Sequence, residues 1–235
     1  MLGNRTTADA FGDAAAAMVR EHSVTDVLAQ LLSDCAELVS AQAVAIMVLD
    51  RSDALSMLSS SSHRATELEA LQIQSRNGPC VDAIRSGEHV TATGATALAD
   101  RWGDVGRTIA ELGFGRVDAY PMRWRGKVLG GLNIFRRSSA ELDEESMTLS
   151  QAFADVATLV VVQSTEIPSD QVAARVNEAI MARTQVEQAK GVLAYIHGVD
   201  MAEAYDELRT LAAGSGRSLT ETALDVVREQ YEENR

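Results

Sequence analysis

Residues 117–136 read VDAYPMRWRGKVLGGLNIFR and contain the two most strand-like segments of the sequence. These segments, Val117–Trp124 and Val128–Arg136, are rich in branched and aromatic side chains, and Arg125-Gly126 lies between them. Two strand-like runs that are separated by a short glycine-containing segment are typical of a β-hairpin. The stretch therefore predicts two neighbouring antiparallel strands.

The residues before this hairpin predict further strands and several helices. Ala43–Leu49 and Leu55–Ser60 predict a second hairpin, and His89–Thr93 predicts a short strand. Apolar residues at helical spacing predict helices at residues 7–21, 24–39 (with Ser23 as its N-cap), 63–74 and 141–163, and residues 97–112 predict a loop followed by a helix. The predicted fold class is α+β, with flanking helices on an antiparallel sheet.

The pattern changes after Gln163, because no strand signal follows it. A long helical pattern ends at Gly198, and two capping-box patterns, Asp200–Glu203 and Ser218–Glu221, each begin another helix. These residues predict an all-α module of three helices. We therefore divide the chain into an N-terminal helix at 1–21, a sheet domain at 22–165 and a helical module at 166–235.

The composition argues against several classes of function. A formal net charge of −13 favours solubility and opposes strong non-specific binding to nucleic acid. Two cysteines and four scattered histidines form neither a disulfide framework nor a metal-ligand pattern, so we expect no metal and no cofactor. The sequence has no apolar run long enough for a membrane span and no signal-peptide pattern, so we expect a cytoplasmic protein.

The helical module carries separated motifs in a fixed order. They are RTQVEQAKGVL at residues 183–193, Glu203-Ala204-Tyr205 with Leu208-Arg209, and GRSL at residues 216–219 followed by Ala223. With these motifs, residues 170–230 resemble an ANTAR domain. The resemblance implies a three-helix domain that binds paired RNA hairpin loops, prevents transcription termination and works as a homodimer under the control of an attached sensor.

The resemblance implies RNA binding by five residues, which are Arg183, Gln188, Lys190, Arg209 and Arg217. Lys190 is suited to contact a phosphate as a point charge, and Gln188 is suited to read a base edge that is exposed in a loop. Arg209 and Arg217 lie on the two following helices and would complete one basic face. Taken alone, such basic residues are more often solvated helix positions, so this second interpretation stays open.

The charge of the module limits the RNA affinity that we expect. Residues 175–228 contain six basic and eight acidic residues, which gives a net charge of −2. ANTAR domains often carry arginine where Ile196 stands, and further basic residues where Ala213 and Gly214 stand. Because the neutralisation of phosphates dominates nucleic-acid affinity, we predict weak or dimerisation-dependent RNA binding.

The sheet domain carries a second set of motifs: GPCVDA at residues 78–83, Asp100-Arg101-Trp102, and LGGLNIF at residues 129–135. With them, residues 22–165 resemble a GAF domain, although Gly103 stands where the family often has proline. The resemblance implies a small-molecule pocket over the sheet, and its candidate residues are Cys80, Asp82, Arg101 and Trp102. Each also has a structural interpretation: Cys80 as a small residue at a helix start, and Asp82 and Arg101 as helix caps. Trp102 can equally be part of the core.

The main hypothesis is a signal-responsive RNA-binding regulator of transcription termination without enzymatic activity. A second hypothesis is a GAF-type thiol enzyme that reduces free methionine sulfoxide, for which Cys35 and Cys80 are the candidate cysteines. The helical pattern places Cys35 in the core, which disfavours that role. A third hypothesis is a protein-interaction regulator with a degenerate helical module. A basic surface around Lys190 would favour RNA, and an acidic or apolar one would favour a protein partner.

Overall fold

One antiparallel sheet, flanked by helices on both faces, forms the centre of the described part of the chain. The computed structural model describes residues 5–20, 23–50, 52–162 and 169–233. The strands are β1 Ala43–Leu49, β2 Leu55–Ser60, β3 Val90–Thr93, β4 Arg116–Trp124 and β5 Lys127–Arg136, in the sheet order β2-β1-β5-β4-β3. The predicted hairpin is confirmed as β4 and β5, and β5 is the central strand.

The helices account for most of the remaining described residues. They are α1 Thr7–Val19, α2 Val24–Leu38, α3 His63–Ser75, α4 Pro79–Ser86, α5 Ala95–Trp102, α6 Asp104–Glu111, α7 Glu144–Val162, α8 Ser169–His197, α9 Met201–Ser215 and α10 Leu219–Glu233. The predicted α+β class is therefore confirmed. Residues 97–112 differ from the prediction, because Gly103, at a φ of 56°, separates two helices there. Ser23 occupies the N-cap of α2 but makes no capping hydrogen bond with its side chain.

The two faces of the sheet carry separate parts of the core. Val44, Ile46 and Val48 pack on the face that is covered by α2 and α7. The alternate residues of β1 pack on the opposite face, under the helices α3 to α6. This alternation follows from the two-residue period of a strand. Helices thus cover both faces, and of the four candidate pocket residues Cys80 and Trp102 are buried, Asp82 is partly buried and Arg101 is exposed.

The three C-terminal helices form a second core of their own. The residues they share in it are Val186, Ala189, Leu193, Ala204, Leu208, Ala212, Leu219 and Ala223. Both predicted capping boxes are confirmed, at Asp200–Glu203 and Ser218–Glu221. The predicted domain boundaries, after residues 21 and 165, fall within residues 21–22 and 163–168, which lie outside the described residues. The division into domains therefore stays a prediction.

A buried ion cluster links β4 and β5 to the helices of one face. The Asp118 carboxylate accepts hydrogen bonds of 2.7 and 2.8 Å from Arg116 and one of 2.8 Å from Arg136. Arg136 also donates to a carbonyl at the end of α2, at 3.1 Å, and to Ser150 Oγ on α7, at 3.4 Å. Burial raises the pKa of Asp118, but hydrogen bonds from His89 and Arg116 outweigh it and hold this pKa below its usual range.

Replacing Asp118 with asparagine leaves two buried guanidinium groups without their shared carboxylate. Removal of one member of a buried ion pair generally costs about 3–5 kcal/mol, so we expect a decrease of that size in the free energy of unfolding, measured by urea denaturation. Asp104→Asn is the control, because its side chain is 87% exposed and also pairs with an arginine. Equal losses in the two variants would contradict a structural role for the cluster.

Candidate nucleic-acid interface and sensor site

Lys190, the central basic residue of the first helical motif, is buried between the helical module and the sheet domain. Its side chain is 1% exposed, and Nζ lies 2.9 and 3.1 Å from the carboxylate oxygens of Glu187. The ammonium group also lies 3.5 Å from Nδ1 of His63 on α3 and 5.3 Å from the centre of the Tyr205 ring. A lysine ammonium has only donors, so His63 Nδ1 is the acceptor in this contact.

Further contacts join the two units around Lys190. The Tyr205 hydroxyl on α9 donates to the carbonyl of Ser60, at the end of β2, over 3.2 Å. The Leu219 amide, at the start of α10, donates to Asp26 Oδ1 on α2 over 2.7 Å. In the first half of α8, Val176, Ala179 and Ile180 pack against the core around α2 and α7. The helical module is therefore docked on the sheet domain through all three of its helices.

Arg183 lies on the same side of α8 as Lys190 and is also largely covered. Its side chain is 15% exposed, and Nη2 donates to Glu187 Oε1 over 2.8 Å. Burial lowers the pKa of Arg183, while the charges of Glu187 and of Glu69 in the sheet domain favour its charged form. One carboxylate, that of Glu187, therefore serves both Arg183 and Lys190 at the junction.

The other three predicted RNA-binding residues are accessible but lie in two different places. Gln188 is on the exposed side of α8, because two residues along a helix are separated by about 200° around its axis. Arg209 and Arg217 line a cleft of about 710 Å³ between α2 and the α9–α10 turn. The structure therefore does not bring the five residues onto one surface: Arg183 and Lys190 are covered, the two other arginines share a cleft, and Gln188 stands apart.

Three of the four predicted pocket residues form a polar cluster on α4 and α5. Trp102 is 1% exposed, and its Nε1 donates to Asp82 Oδ2 over 3.0 Å. Arg101 Nε lies 3.4 Å from the same oxygen, and the Arg101 guanidinium lies 4.9 Å from the centre of the Trp102 ring. Cys80 is not part of this cluster, because it packs with Met47 and Val81 against the sheet.

A buried polar network that the sequence analysis missed lies beside Cys80. Glu69 accepts from Asn133 Nδ2 over 2.6 Å and from Gln72 Nε2 over 3.0 Å. Gln72 Oε1 in turn accepts from the Cys80 amide over 3.0 Å. Gly131 leaves room for the cysteine, since a Cβ there would come within 2.8 Å of Sγ. Glu69 and Gln72 lie on the buried side of α3, with Ala65 and Leu68. Polar residues at such inward helical positions are the sequence signal that would have identified the network.

The two cysteines lie on opposite faces of the sheet. Cys35 belongs to the core around α2 and α7, whereas Cys80 belongs to the cluster under α4. Burial raises the pKa of both thiols, and the charge of Glu69 raises that of Cys80 further. This arrangement opposes the formation of a reactive thiolate and a disulfide between them.

Within the described ranges, no helix is long and apolar enough to cross a bilayer, and no group of His, Cys, Asp and Glu side chains is arranged to hold a metal.

A cavity of about 500 Å³ opens at one end of the face that carries α3 and α4. Apolar residues, among them Leu55, Ile73 and Ile84, line it together with three charged residues, Asp53, Arg76 and Arg85. Helix α3 extends from His63, which contacts Lys190, to this cavity, which Ile73 and Arg76 line. One helix thus connects a cavity of the sheet domain with the covered lysine of the helical module.

The Glu69 network makes a prediction about the pH dependence of stability. Burial raises the pKa of Glu69 from an ordinary value of 4.5 to about 8. Between these pH values the folded chain binds a proton that the unfolded chain has lost, so this group makes the free energy of unfolding fall as pH rises, by about 1.4 kcal/mol per unit. Glu69→Gln should remove this slope in urea denaturation between about pH 5 and pH 8. Glu111→Gln, at an exposed position on α6, should retain it; an unchanged slope in Glu69→Gln would show that Glu69 titrates normally.

Comparisons with known proteins agree with this two-part structure. A family model described as GAF domain matches residues 21–162, and one described as ANTAR domain matches residues 174–227. The chain is similar to the crystal structure of the GAF domain from Acinetobacter phosphoenolpyruvate-protein phosphotransferase, with 14% identity, a TM-score of 0.51, and coverage of 67% of this chain and 93% of that one. A domain of a sensor histidine kinase protein from Sinorhizobium meliloti has 8% identity, a TM-score of 0.50, and coverage of 60% and 91%. At these identities the likeness shows the fold alone. A search of curated protein sequences finds no significant match.

Proposed function

The chain belongs to the GAF domain family and carries a C-terminal ANTAR domain, and from this premise we propose that it is a signal-responsive RNA-binding regulator of transcription termination. The observation that carries the proposal is the position of Lys190, the central basic residue of the ANTAR motif. It is 1% exposed and is held between Glu187 and His63. RNA can reach this residue only when the two domains separate, so the domain contact is suited to control RNA binding.

The proposed RNA contacts divide into those that are accessible in the docked arrangement and those that are released. Gln188, Arg209 and Arg217 are exposed, which suits a first encounter with a loop base and with phosphates. Lys190 and Arg183 add two positive charges once they leave the GAF domain. Because the module is acidic, we propose that strong binding needs all of these residues, supplied by both copies in a homodimer, on paired hairpin loops.

The GAF domain is proposed to receive the signal in the cavity that Arg76 and Arg85 line. A small ligand with an apolar body and an anionic group would fit the apolar lining residues and the two arginines, which outnumber the single lining carboxylate, Asp53. A shift of α3 on ligand binding would reach His63 and thereby Lys190. Such a ligand acts only if its affinity differs between the docked and the separated arrangements.

The first test measures the binding of paired-hairpin RNA by fluorescence anisotropy. Tyr205→Phe removes the hydroxyl that donates to Ser60 and keeps the ring in the module. The loss of one hydrogen bond between the domains, about 0.5–1.5 kcal/mol, should raise the apparent RNA affinity about 2- to 12-fold. Tyr195→Phe is the matched control, because Tyr195 is 87% exposed, and it should change the affinity little.

Two results would contradict the proposal in different ways. If neither the wild type nor Tyr205→Phe binds hairpin RNA, the RNA-binding function is wrong, and the hypothesis of a protein-interaction regulator is favoured. If both bind RNA with equal affinity, the domain contact does not control binding. In Tyr205→Phe, the further change Gln188→Ala should weaken binding, since it removes the proposed contact with a loop base.

The docked arrangement can be tested without RNA, because the chain has two lysines, Lys127 and Lys190. Lys127 is exposed at the start of β5, and Lys190 is 1% exposed. An amine-reactive reagent, followed by peptide mass spectrometry, should therefore label Lys190 at least about tenfold more slowly than Lys127. Tyr205→Phe should accelerate the labelling of Lys190 alone. Equal rates at both lysines in the wild type would contradict the docked arrangement.

A further inference from the structure

The imidazole ring of His63 lies between a charged residue of each domain. His63 is the first residue of α3. Its Nδ1 faces the ammonium group of Lys190 over 3.5 Å, and its Nε2 faces Glu67 Oε1 on the next turn of α3, also over 3.5 Å. The His63 side chain is 20% exposed, so protons can reach the ring from solvent while the domains are docked.

This geometry requires the neutral form of the ring, with its proton on Nε2. The Lys190 ammonium has only donors, so Nδ1 has to be an unprotonated acceptor. Nε2 then carries the proton and faces the Glu67 carboxylate, which can accept it. In the imidazolium form both ring nitrogens are donors. Protonation of His63 therefore replaces the hydrogen bond between the domains with two positive groups that face each other.

The ANTAR side of the contact has no surplus of negative charge to receive an imidazolium. Glu187, which holds Lys190, already accepts a hydrogen bond from Arg183 as well. Asp206 and Arg209 on α9 interact with Tyr205, whose ring lies beside Lys190. These five charged residues are three basic and two acidic ones, a net charge of +1. A further positive charge on α3 therefore opposes docking.

The other groups around α3 affect the ring equally in the docked and separated arrangements, because they belong to its own domain. Glu67 favours the imidazolium and the positive dipole end of α3 opposes it, in both arrangements. Strands β1 and β2, which pack against α3, contain no charged residue. The remaining charged residues of α3 and of the helices α4 and α6 beside it are Arg64, Glu69, Asp82, Arg85, Asp104, Arg107 and Glu111.

We propose that His63 is a proton-sensitive latch: a proton on its imidazole ring opens the contact between the GAF and ANTAR domains and exposes Lys190. The inference deepens the proposed function, since it names a signal that acts on the same contact, and its meaning for RNA binding rests on that function. Histidine side chains ordinarily change charge between about pH 5 and pH 8. The docked arrangement binds fewer protons than the separated one, so a fall in pH through this range favours separation.

The first experiment measures the opening of the contact without RNA. The full chain is reductively methylated at about pH 7.5 and about pH 5.5, and the rates at Lys190 and Lys127 are compared by peptide mass spectrometry. Exposed Lys127 reports the direct effect of pH on amine reactivity, so the ratio of the two rates reports the opening alone. One proton with an ordinary histidine titration changes the equilibrium at most about tenfold over this range, so the wild-type ratio should rise about 5- to 10-fold at the lower pH.

Substitutions of His63 separate the effect of its charge from the effect of its shape. His63→Gln keeps an acceptor and does not titrate, so its ratio should be low and equal at both pH values. His63→Arg, with a permanent positive charge, should give a high ratio at both, and His63→Glu, with a carboxylate facing Lys190, should give a ratio below that of the wild type. A wild-type ratio that does not change with pH, or a similar rise in His63→Gln, would overturn the inference. So would a high ratio in both His63→Arg and His63→Glu, because steric disruption would explain it.

Two further variants are matched controls for other titrating groups. His197 pairs with Glu207 inside the ANTAR domain, so His197→Gln should retain the pH response of the wild type. Burial raises the pKa of Glu69 to about 8, which keeps this carboxyl mostly protonated below about pH 7.5. Glu69→Gln should therefore also retain the response. Loss of the response in either control, with its retention in His63→Gln, would assign the titration to another group and overturn the inference.

The second experiment measures hairpin-RNA affinity by fluorescence anisotropy at the same two pH values. The affinity of the wild type should rise about 5- to 10-fold at the lower pH, and that of His63→Gln less than about twofold. If RNA binds but neither its affinity nor the labelling ratio depends on His63, the latch is overturned and the RNA-binding function stands. If the labelling ratio responds to His63 but no RNA binds at either pH, the proposed function is overturned and the latch stands as a property of the domain contact.

Discussion

A charged group that is removed from water must find partners, and this constraint on Lys190 determines how the two domains fit together. Its ammonium group has Glu187 on its own helix, the Tyr205 ring on α9 and His63 in the GAF domain. The set is complete only when the domains are docked. After separation, water or a phosphate has to take the place of His63. The charge that suits Lys190 for the proposed contact with RNA therefore also favours the docked arrangement, so Lys190 cannot make both sets of contacts at once.

Helix α3 gives this contact a connection to the interior of the GAF domain. His63 stands at its first turn, and Glu69 and Gln72 lie two turns further along in a buried network. Glu69 also interacts electrostatically with Arg183, the second covered basic residue of the ANTAR domain. Helix α3 thus contacts one covered basic residue through His63 and interacts electrostatically with the other through Glu69. The GAF domain therefore touches the ANTAR domain through the same helix that lines its own cavity.

The sequence was sufficient where the interactions are local. The β4–β5 hairpin and both capping boxes depend on residues a few positions apart, and each was predicted. The contacts that join the domains were not, since Lys190–His63 and Leu219–Asp26 link residues 127 and 193 positions apart. The resemblance to an ANTAR domain also implied that Lys190 and Gln188 belong to one RNA-binding set. Helical geometry separates them: Lys190 lies among Glu187, Tyr205 and the GAF-domain residue His63, whereas Gln188 is exposed.

The division of α8 between two cores limits how the domains can separate. Its first half, with Val176 and Ala179, packs in the GAF core, whereas Val186 and the residues after it belong to the ANTAR core. Exposure of Lys190 requires the loss of the polar contacts of His63, Ser60 and Asp26, but it does not require Val176 and Ala179 to leave the GAF core. Polar contacts of this kind contribute about 1 kcal/mol each, whereas buried apolar side chains contribute about 1.5–3 kcal/mol. For the proposed separation, the polar contacts are therefore the less costly set to lose, and Val176 and Ala179 can keep their places in the GAF core.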